Sequence, residues 1–200
     1  MKFNKSFYLG KKNIQNFNSV YFIAEAGSNH NQILSRALKM VDVAKECGAD
    51  AIKFQLIYPD GIAVGKKTKY GILKNKFKKF GKTYFDLYSK SSFDFKKFKI
   101  IKNYCKKKKI DFLVSVFCKN SLEDAIKLQV KAIKIASLEL FDLNLIKDVA
   151  KTKIPIILST GSSNLSDVTR TMKEIYKKNN KKVCLLQCTS TYPANADELN

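Results

Sequence analysis

The sequence predicts a parallel α/β fold, and three observations carry that reading. Six strand-like runs alternate with five helical segments at short intervals along 200 residues, the order that yields a parallel sheet with helices outside it. All six runs end in polar, hydrogen-bonding side chains, and in parallel α/β folds the active site gathers at that edge. Two of the runs hold a lysine among apolar residues: Lys53 in Asp-Ala-Ile-Lys-Phe-Gln and Lys134 in Lys-Ala-Ile-Lys-Ile-Ala. The alternation fits either an open doubly wound sheet or a (β/α)8 barrel. An open sheet would use mainly the strands at its switch point, so six polar strand ends favour a barrel rim. There is no GxGxxG and no GxxxxGK(S/T), which removes the usual support for a nucleotide-binding fold.

Each element has its own signal. After a short N-terminal segment, the first strand is expected over about 20–25. A helix follows over about 32–47, with Leu34, Leu38, Val41 and Ala44 at helical spacing and Gly48 just past its end. The second strand covers Ala51 to Gln55. A long basic, aromatic stretch from Leu56 to Ser92 comes next, without assigned elements. A helix over 95–108 is opened by Ser92 and Asp94 as possible caps. The third strand is 110–115, followed by a short helix over 122–128 after Asn120 and Ser121. The remaining strands are 132–136, 154–159 and 182–188. The remaining helices are 143–151 and 166–178.

The strand ends define the chemistry. They are Glu25 with Ser28, Asn29 and His30; Lys53 with Gln55; Ser115; Lys134 with Ser137 and Glu139; Ser159 with Thr160; and Gln187 with Thr189, Ser190 and Tyr192. Side chains alternate along a strand, so Lys53 and Gln55 share one face while Ile52 and Phe54 take the other, against the helices. A lysine is rarely buried unless something negative meets it. Lysines with serines and a threonine suit phosphate and carboxylate oxygens. Glu25 and Glu139 add acid–base or hydroxyl-binding capacity. Each group also has a structural alternative. The lysines could snorkel from short edge strands, Glu25 could cap the following turn, and Ser159-Thr160-Gly161 could be a turn alone. His30 could be an ordinary helix-start contact and Gln187 an internal hydrogen bond. His30 is the sole histidine, so a multi-histidine metal site cannot be built within the chain.

Composition narrows the class. The formal net charge of +21 first points to nucleic acid. However, the only arginines are Arg36 and Arg170, whereas base and phosphate recognition usually draws on arginine's fork. A solvated lysine face is the simpler reading, and no specific nucleic-acid partner is expected. The alternative, a noncatalytic basic module, would rest on Lys66 to Lys82 with Tyr70, Phe77 and Phe80. Cys47, Cys105, Cys118, Cys184 and Cys188 are odd in number and show no CxxC spacing, so they read as small buried hydrophobes or free thiols in a reducing compartment. No apolar stretch reaches about 18 residues, and the N-terminus has no signal-peptide pattern. A cytoplasmic protein without a membrane partner is the expectation.

Read in order, five segments resemble the sialic acid synthase family, the N-acetylneuraminate synthase-like enzymes. They are Ile23-Ala24-Glu25-Ala26-Gly27-Ser28-Asn29-His30-Asn31; Gly48 to Gln55; Lys134-Ile135-Ala136-Ser137-Leu138-Glu139; Ile157 to Gly161; and Leu185 to Pro193. The resemblance implies a (β/α)8 barrel that condenses phosphoenolpyruvate with an N-acyl hexosamine to a nonulosonic acid of the sialic, legionaminic or pseudaminic type. It places Lys53, Ser115, Lys134, Ser137 and Ser159 around phosphoenolpyruvate, with Ser190 also on the substrate-binding side. It puts Glu25, Gln55, Glu139 and Tyr192 at the sugar or the reacting centre, with Glu25, Glu139 and Tyr192 as catalytic candidates. A related phosphoenolpyruvate–aldose condensation is the alternative within the same chemistry. The resemblance also implies a divalent metal, Mn2+ or Mg2+, that polarises the sugar aldehyde, and a homodimer in the complete protein.

Three departures from the family pattern stand out. Val114-Ser115-Val116-Phe117 keeps a hydroxyl where Ser-Thr-Pro-Phe is frequent. Leu138 replaces a frequent glycine, and Gly61 to Phe80 matches poorly. The chain also ends just past the sixth strand. The expectation is therefore residues 1–200 of an incomplete synthase barrel, about six of eight strands. The two metal-holding histidines and the C-terminal antifreeze-like domain would lie outside it, and the chain alone would be inactive.

Overall fold

A computed structural model describes residues 1–15, 20–63, 71–73, 75–191 and 194–198. The chain opens on an antiparallel hairpin, β1 (Ser6–Leu9) and β2 (Lys12–Gln15). β3 (Ile23–Gly27), α1 (Leu34–Glu46) and β4 (Ala51–Gln55) follow. Next come α2 (Pro59–Ile62), a 3-10 turn (Asn75–Phe80), α3 (Tyr84–Ser91), α4 (Phe95–Lys108), β5 (Asp111–Val116) and α5 (Lys119–Lys127). The rest is β6 (Ile133–Ile135), a 3-10 turn (Leu138–Phe141), α6 (Leu143–Lys151), β7 (Ile156–Ser159), α7 (Leu165–Lys177), β8 (Val183–Leu186) and a last 3-10 turn (Ala196–Glu198).

The chain divides into two compact units: Tyr21–Gln129, and Met1–Val20 with Val130–Asn200. In the first, β4 pairs in parallel with β3 on one side and β5 on the other, Glu25 lying opposite Lys53 and Gln55 opposite Ser115. In the second, β7 pairs in parallel with β6 and β8, with Lys134 opposite Ile157 and Ser159 opposite Leu186. Parallel strands joined through helices in sequence order are the predicted class.

Each unit has an apolar interior. In Tyr21–Gln129 it is aromatic: Phe54 of β4 meets Phe98 of α4 edge-on with a centroid separation of 6.4 Å, within the roughly 4.5–7 Å span of such pairs. Phe112 of β5 lies 5.9 Å from the same ring. Ile52, Phe54, Phe98 and Leu113 are each at most 1% exposed, and burying such a side chain contributes about 1.5–3 kcal/mol. The other unit packs Ile133, Ile135, Ile146, Val149 and Leu158, all fully buried. The buried stripe of α1 is Ala37, Val41 and Ala44; it keeps Val41 and Ala44 of the predicted row, while Leu34 and Leu38 are only half-buried.

Helix ends carry the expected chemistry. Asp94 caps α4, accepting from Lys96 N–H at 2.8 Å. Asp142 caps α6, and Asn164 with Asp167 closes a capping box on α7; a cap of this kind contributes about 1 kcal/mol. Gly48 ends α1 with φ +78°, the left-handed conformation glycine tolerates.

Several boundaries and elements differ from the prediction. β3 starts at Ile23 and runs to Gly27, because a bulge between Glu25 and Gly27 extends the pairing. α5 begins at Lys119 because Ser121 Oγ accepts from Phe117 and Cys118 N–H and stops the chain there. The hairpin β1–β2 falls in the segment read as a plain N-terminus. α2, α3 and a 3-10 turn fall in the stretch read without elements. α3 has a local signature, Thr83 with Asp86 three residues on, and the capping box forms. Of the basic stretch Lys66 to Lys82, residues 66–70 and 74 lie outside the described residues, while Phe77 and Phe80 are exposed. The five cysteines are free thiols. No described helix is long and apolar enough to cross a membrane.

Candidate active site

In Tyr21–Gln129 the ends of β3, β4 and β5 bring four predicted residues together. Alternation on β4 turns Ile52 and Phe54 toward the helices and leaves Lys53 and Gln55 on the other face. Lys53 is 7% exposed. Its ammonium pairs with the Glu25 carboxylate and donates to Ser115 Oγ at 3.0 Å. Glu25 stands on the exposed side of the pair, its side chain 50% accessible, and its Oε1 also accepts from Gly27 N–H at 2.9 Å. Gly27 takes φ +52° to make that turn. Gln55 accepts from Ser28 Oγ at 3.3 Å. The arrangement is a buried cation whose carboxylate counter-ion stands on the exposed side.

The second unit gathers Ser137, Ser159 and Ser190 around Gly161. Gly161 N–H donates to Ser137 Oγ at 3.1 Å, and Ser162 Oγ donates to Ser190 Oγ at 2.7 Å. Ser159 is 4% exposed and accepts from Cys188 Sγ at 3.3 Å. Thr160 ties the β7 end to β8, its Oγ1 donating to Leu186 carbonyl at 3.0 Å. Lys134 donates to its neighbour Ile135 carbonyl at 3.0 Å and interacts electrostatically with Glu139. Glu139 sits on the 3-10 turn after β6, half-buried. Tyr192, the remaining catalytic candidate, lies outside the described residues.

Burial pushes the Glu139 carboxyl above the usual glutamate range, against the opposing pull of a backbone hydrogen bond and the Lys134 charge. A carboxyl raised in the folded state holds more protons folded than unfolded between its two pKa values. Its contribution to stability is therefore full at acid pH and lost as pH rises through that interval. Glu139→Gln is expected to raise the melting temperature at pH 7 and to give no such gain below about pH 4. Thermal melts at both values check this; an equal shift at both would contradict it.

The packing of two residues was not legible in the sequence. Gly161 is crowded: a Cβ there would lie 2.8 Å from Ser190 Oγ, 2.9 Å from Ser137 Oγ and 3.1 Å from Cys188 carbonyl oxygen. The glycine after Ser-Thr at a strand end was its only local signal. Gln32 is the other; its side-chain amide donates to Ser89 and Ser92 carbonyls at 2.9 and 3.0 Å, and nothing in its immediate sequence announces that.

The described residues do not fit the divalent metal that the resemblance implies. Among them, no group of three His, Cys, Asp or Glu side chains could hold an ion. His30 is fully buried and stacked on Phe93, ring centroids 4.2 Å apart.

The NeuB family model matches residues 40–200. The chain belongs to the NeuB family. Among NeuB-type relatives it is 31% identical to the spore coat polysaccharide biosynthesis protein SpsE of Bacillus subtilis, over 98% of the chain and 51% of that protein. It is 34% identical to N,N'-diacetyllegionaminic acid synthase of Campylobacter jejuni, over 89% of the chain and 54% of that protein. The chain thus spans about half the length of these relatives. A solved structure, the N-acetylneuraminic acid synthetase of Leptospira borgpetersenii in complex with citrate, superposes with TM-score 0.83. It shares 30% identity and covers 99% of this chain and 64% of that one. The NeuB chain is accordingly parallel α/β of the TIM-barrel type, the alternative that its six polar strand ends favoured.

Proposed function

We propose that the complete protein condenses phosphoenolpyruvate with an N-acyl hexosamine to give a nonulosonic acid of the sialic, legionaminic or pseudaminic type, as a cytoplasmic homodimer. The observation that carries this reading is the buried Lys53 ammonium, held by Glu25 and Ser115 at the strand ends, in a chain of the NeuB family. A buried cation next to hydroxyls suits the phosphate and carboxylate oxygens of phosphoenolpyruvate. Lys53 and Lys134 hold its charges through the reaction, with Ser115, Ser137, Ser159 and Ser190 as hydroxyl partners.

The bond-making step joins C3 of phosphoenolpyruvate to the aldehyde carbon of the open-chain sugar. The aldehyde oxygen takes a proton, and the positive charge that develops at C2 is relieved by water. The hydrated carbon then expels inorganic phosphate by C–O cleavage and leaves a 2-keto acid. Glu25 is the group for proton transfer to or from water. Glu139, whose burial favours its protonated form, suits donation to the aldehyde oxygen. Gln55 and Tyr192 complete the sugar side. The divalent metal, Mn2+ or Mg2+, would polarise the sugar aldehyde in the complete protein, with ligands outside the described residues, and no step above is routed through it.

The test is the substitution equivalent to Lys134→Ala in a full-length NeuB-family enzyme. Turnover with phosphoenolpyruvate should fall by about 100-fold or more, the scale of losing one fixed electrostatic contact to a developing charge. Turnover near wild type would refute the anion-pocket assignment. Preference for a phosphorylated aldose over N-acyl hexosamines would replace the acceptor.

A further inference from the structure

The loop between β3 and α1 contains an unusual turn. Asn31 and Gln32 take φ of 46° and 62°, successive left-handed residues that both carry side chains. Such conformations persist only where the surroundings over-determine them. Here the surroundings are specific. Gln32 N–H donates to His30 Nδ1 at 3.1 Å, and Lys97 Nζ donates to Gln32 carbonyl at 3.0 Å. The Gln32 side-chain amide spans two carbonyls near the end of α3. His30 itself is fully buried, stacked on Phe93 at 4.2 Å and tilted against Phe54 at 6.2 Å.

The turn is linked stepwise to the candidate site. Ile33 N–H donates to His30 carbonyl, Asn31 N–H to Ser28 carbonyl and Asn29 N–H to Ala26 carbonyl. Gly27 N–H reaches Glu25 Oε1, and Ser28 reaches Gln55. We propose that His30 is a positioning residue: its neutral imidazole clamps the Asn31–Gln32 turn and thereby seats the segment that carries Glu25 and Ser28. Its relevance to the reaction rests on the reading of Glu25 given above; the clamp itself does not.

The tautomer follows from the geometry. Because Nδ1 accepts from Gln32, the ring proton is on Nε2, which has no hydrogen-bond partner among the described residues. Protonating Nδ1 would replace the acceptor with a donor facing a donor. It would also place a charge among aromatic rings beside Lys97, the charged group that faces it from α4; β4 and the α3–α4 link face it with Phe54 and Phe93. Burial, then the Lys97 charge, holds its pKa below the ordinary histidine value. The neutral ring is thus the folded form. The unfolded chain takes up the proton first as pH falls below about 6.5, so stability declines between that value and the lower folded pKa.

His30 is the sole histidine, so in the chain without a histidine tag its ring signals need no assignment. Long-range nitrogen–proton spectra should show the Nε2–H tautomer and a titration displaced to acid pH. Exchange of the Gln32 amide, corrected for intrinsic pH dependence, should accelerate as the ring titrates. At pH 7 His30→Phe, which keeps an aromatic ring without an acceptor, should exchange about tenfold faster, the scale of one hydrogen bond. His30→Asn, whose Oδ1 can take the place of Nδ1 and does not titrate, should stay near wild type at every pH. If His30→Phe does not fold, the wild-type titration supplies the same test alone. An Nδ1–H ring, or exchange indifferent to the titration, would overturn the proposal. Phosphoenolpyruvate affinity measured on the same proteins should follow the exchange order. No phosphoenolpyruvate binding by wild type, with the exchange pattern intact, would count against the anion-site reading and not against the clamp.

Discussion

Lys53→Met is expected to leave the fold standing while weakening phosphoenolpyruvate binding about 100-fold, whereas Glu25→Ala should destabilise the chain itself. The asymmetry comes from where each partner sits. Lys53 is the buried member, with a side chain 9% exposed, and Glu25 is the half-exposed one at 50%. Removing the carboxylate strands an ammonium with few polar neighbours. Breaking a fully buried pair this way costs about 3–5 kcal/mol, and the exposure of Glu25 lowers that to roughly 2–3 kcal/mol. For a chain of this size the melting temperature should drop by about 5–10 °C. Methionine at 53 keeps the unbranched stem beside Leu113, its register partner on β5, and removes the charge that needs a partner, so its stability change should stay within about 1 kcal/mol. Thermal melts and calorimetric titration with phosphoenolpyruvate measure the two effects separately. A strongly destabilised Lys53→Met with normal anion affinity would reverse the assignment and make the pair structural.

The second large effect is expected at Gly161. An added methyl group would meet Ser190 and Ser137 hydroxyls and the Cys188 backbone carbonyl, all within 3.1 Å. The hydroxyls can rotate away, but the carbonyl can move only with the chain that follows β8. Gly161→Ala should therefore cost about 1–3 kcal/mol in stability, the scale of overpacking. It should also displace the Gly161 N–H from Ser137, a proposed phosphoenolpyruvate-binding hydroxyl, and reduce turnover of the full-length enzyme by about 100-fold, the scale of misplacing a substrate-positioning group by about 1 Å. Melting curves and steady-state assays of the variant check this. A melting temperature and rate equal to wild type would show that the glycine is there by chance.

Much of the candidate site was legible because its logic is local. A lysine in the middle of Ala-Ile-Lys-Phe-Gln has one of two faces to choose, and the apolar neighbours leave it the side away from the helices. The helices at Phe95–Lys108 and Leu143–Lys151 have the predicted limits because cap, periodicity and stop signals agree there. The Leu56 to Ser92 stretch was not legible. Its aromatic and basic residues lack a sustained period, and α3 is stated mainly by a four-residue capping box. The β1–β2 hairpin was missed for a similar reason: four-residue strands with a Gly10-Lys11 turn leave little room for alternation to register.

By itself, the sequence determined the order of parallel strands and helices and the residues offered at each strand end, because both follow from side-chain periodicity within a few residues. The tertiary structure decided who meets whom. Glu25, not solvent, partners Lys53, because β3 and β4 run side by side and place the two in register. Gly161 is crowded only because Ser137 and Cys188 close on it from segments more than twenty residues away in either direction. His30, polar and next to a helix start, is sealed under Phe93. Each of these is a contact across a closed loop, and its energy depends on packing that no local pattern encodes.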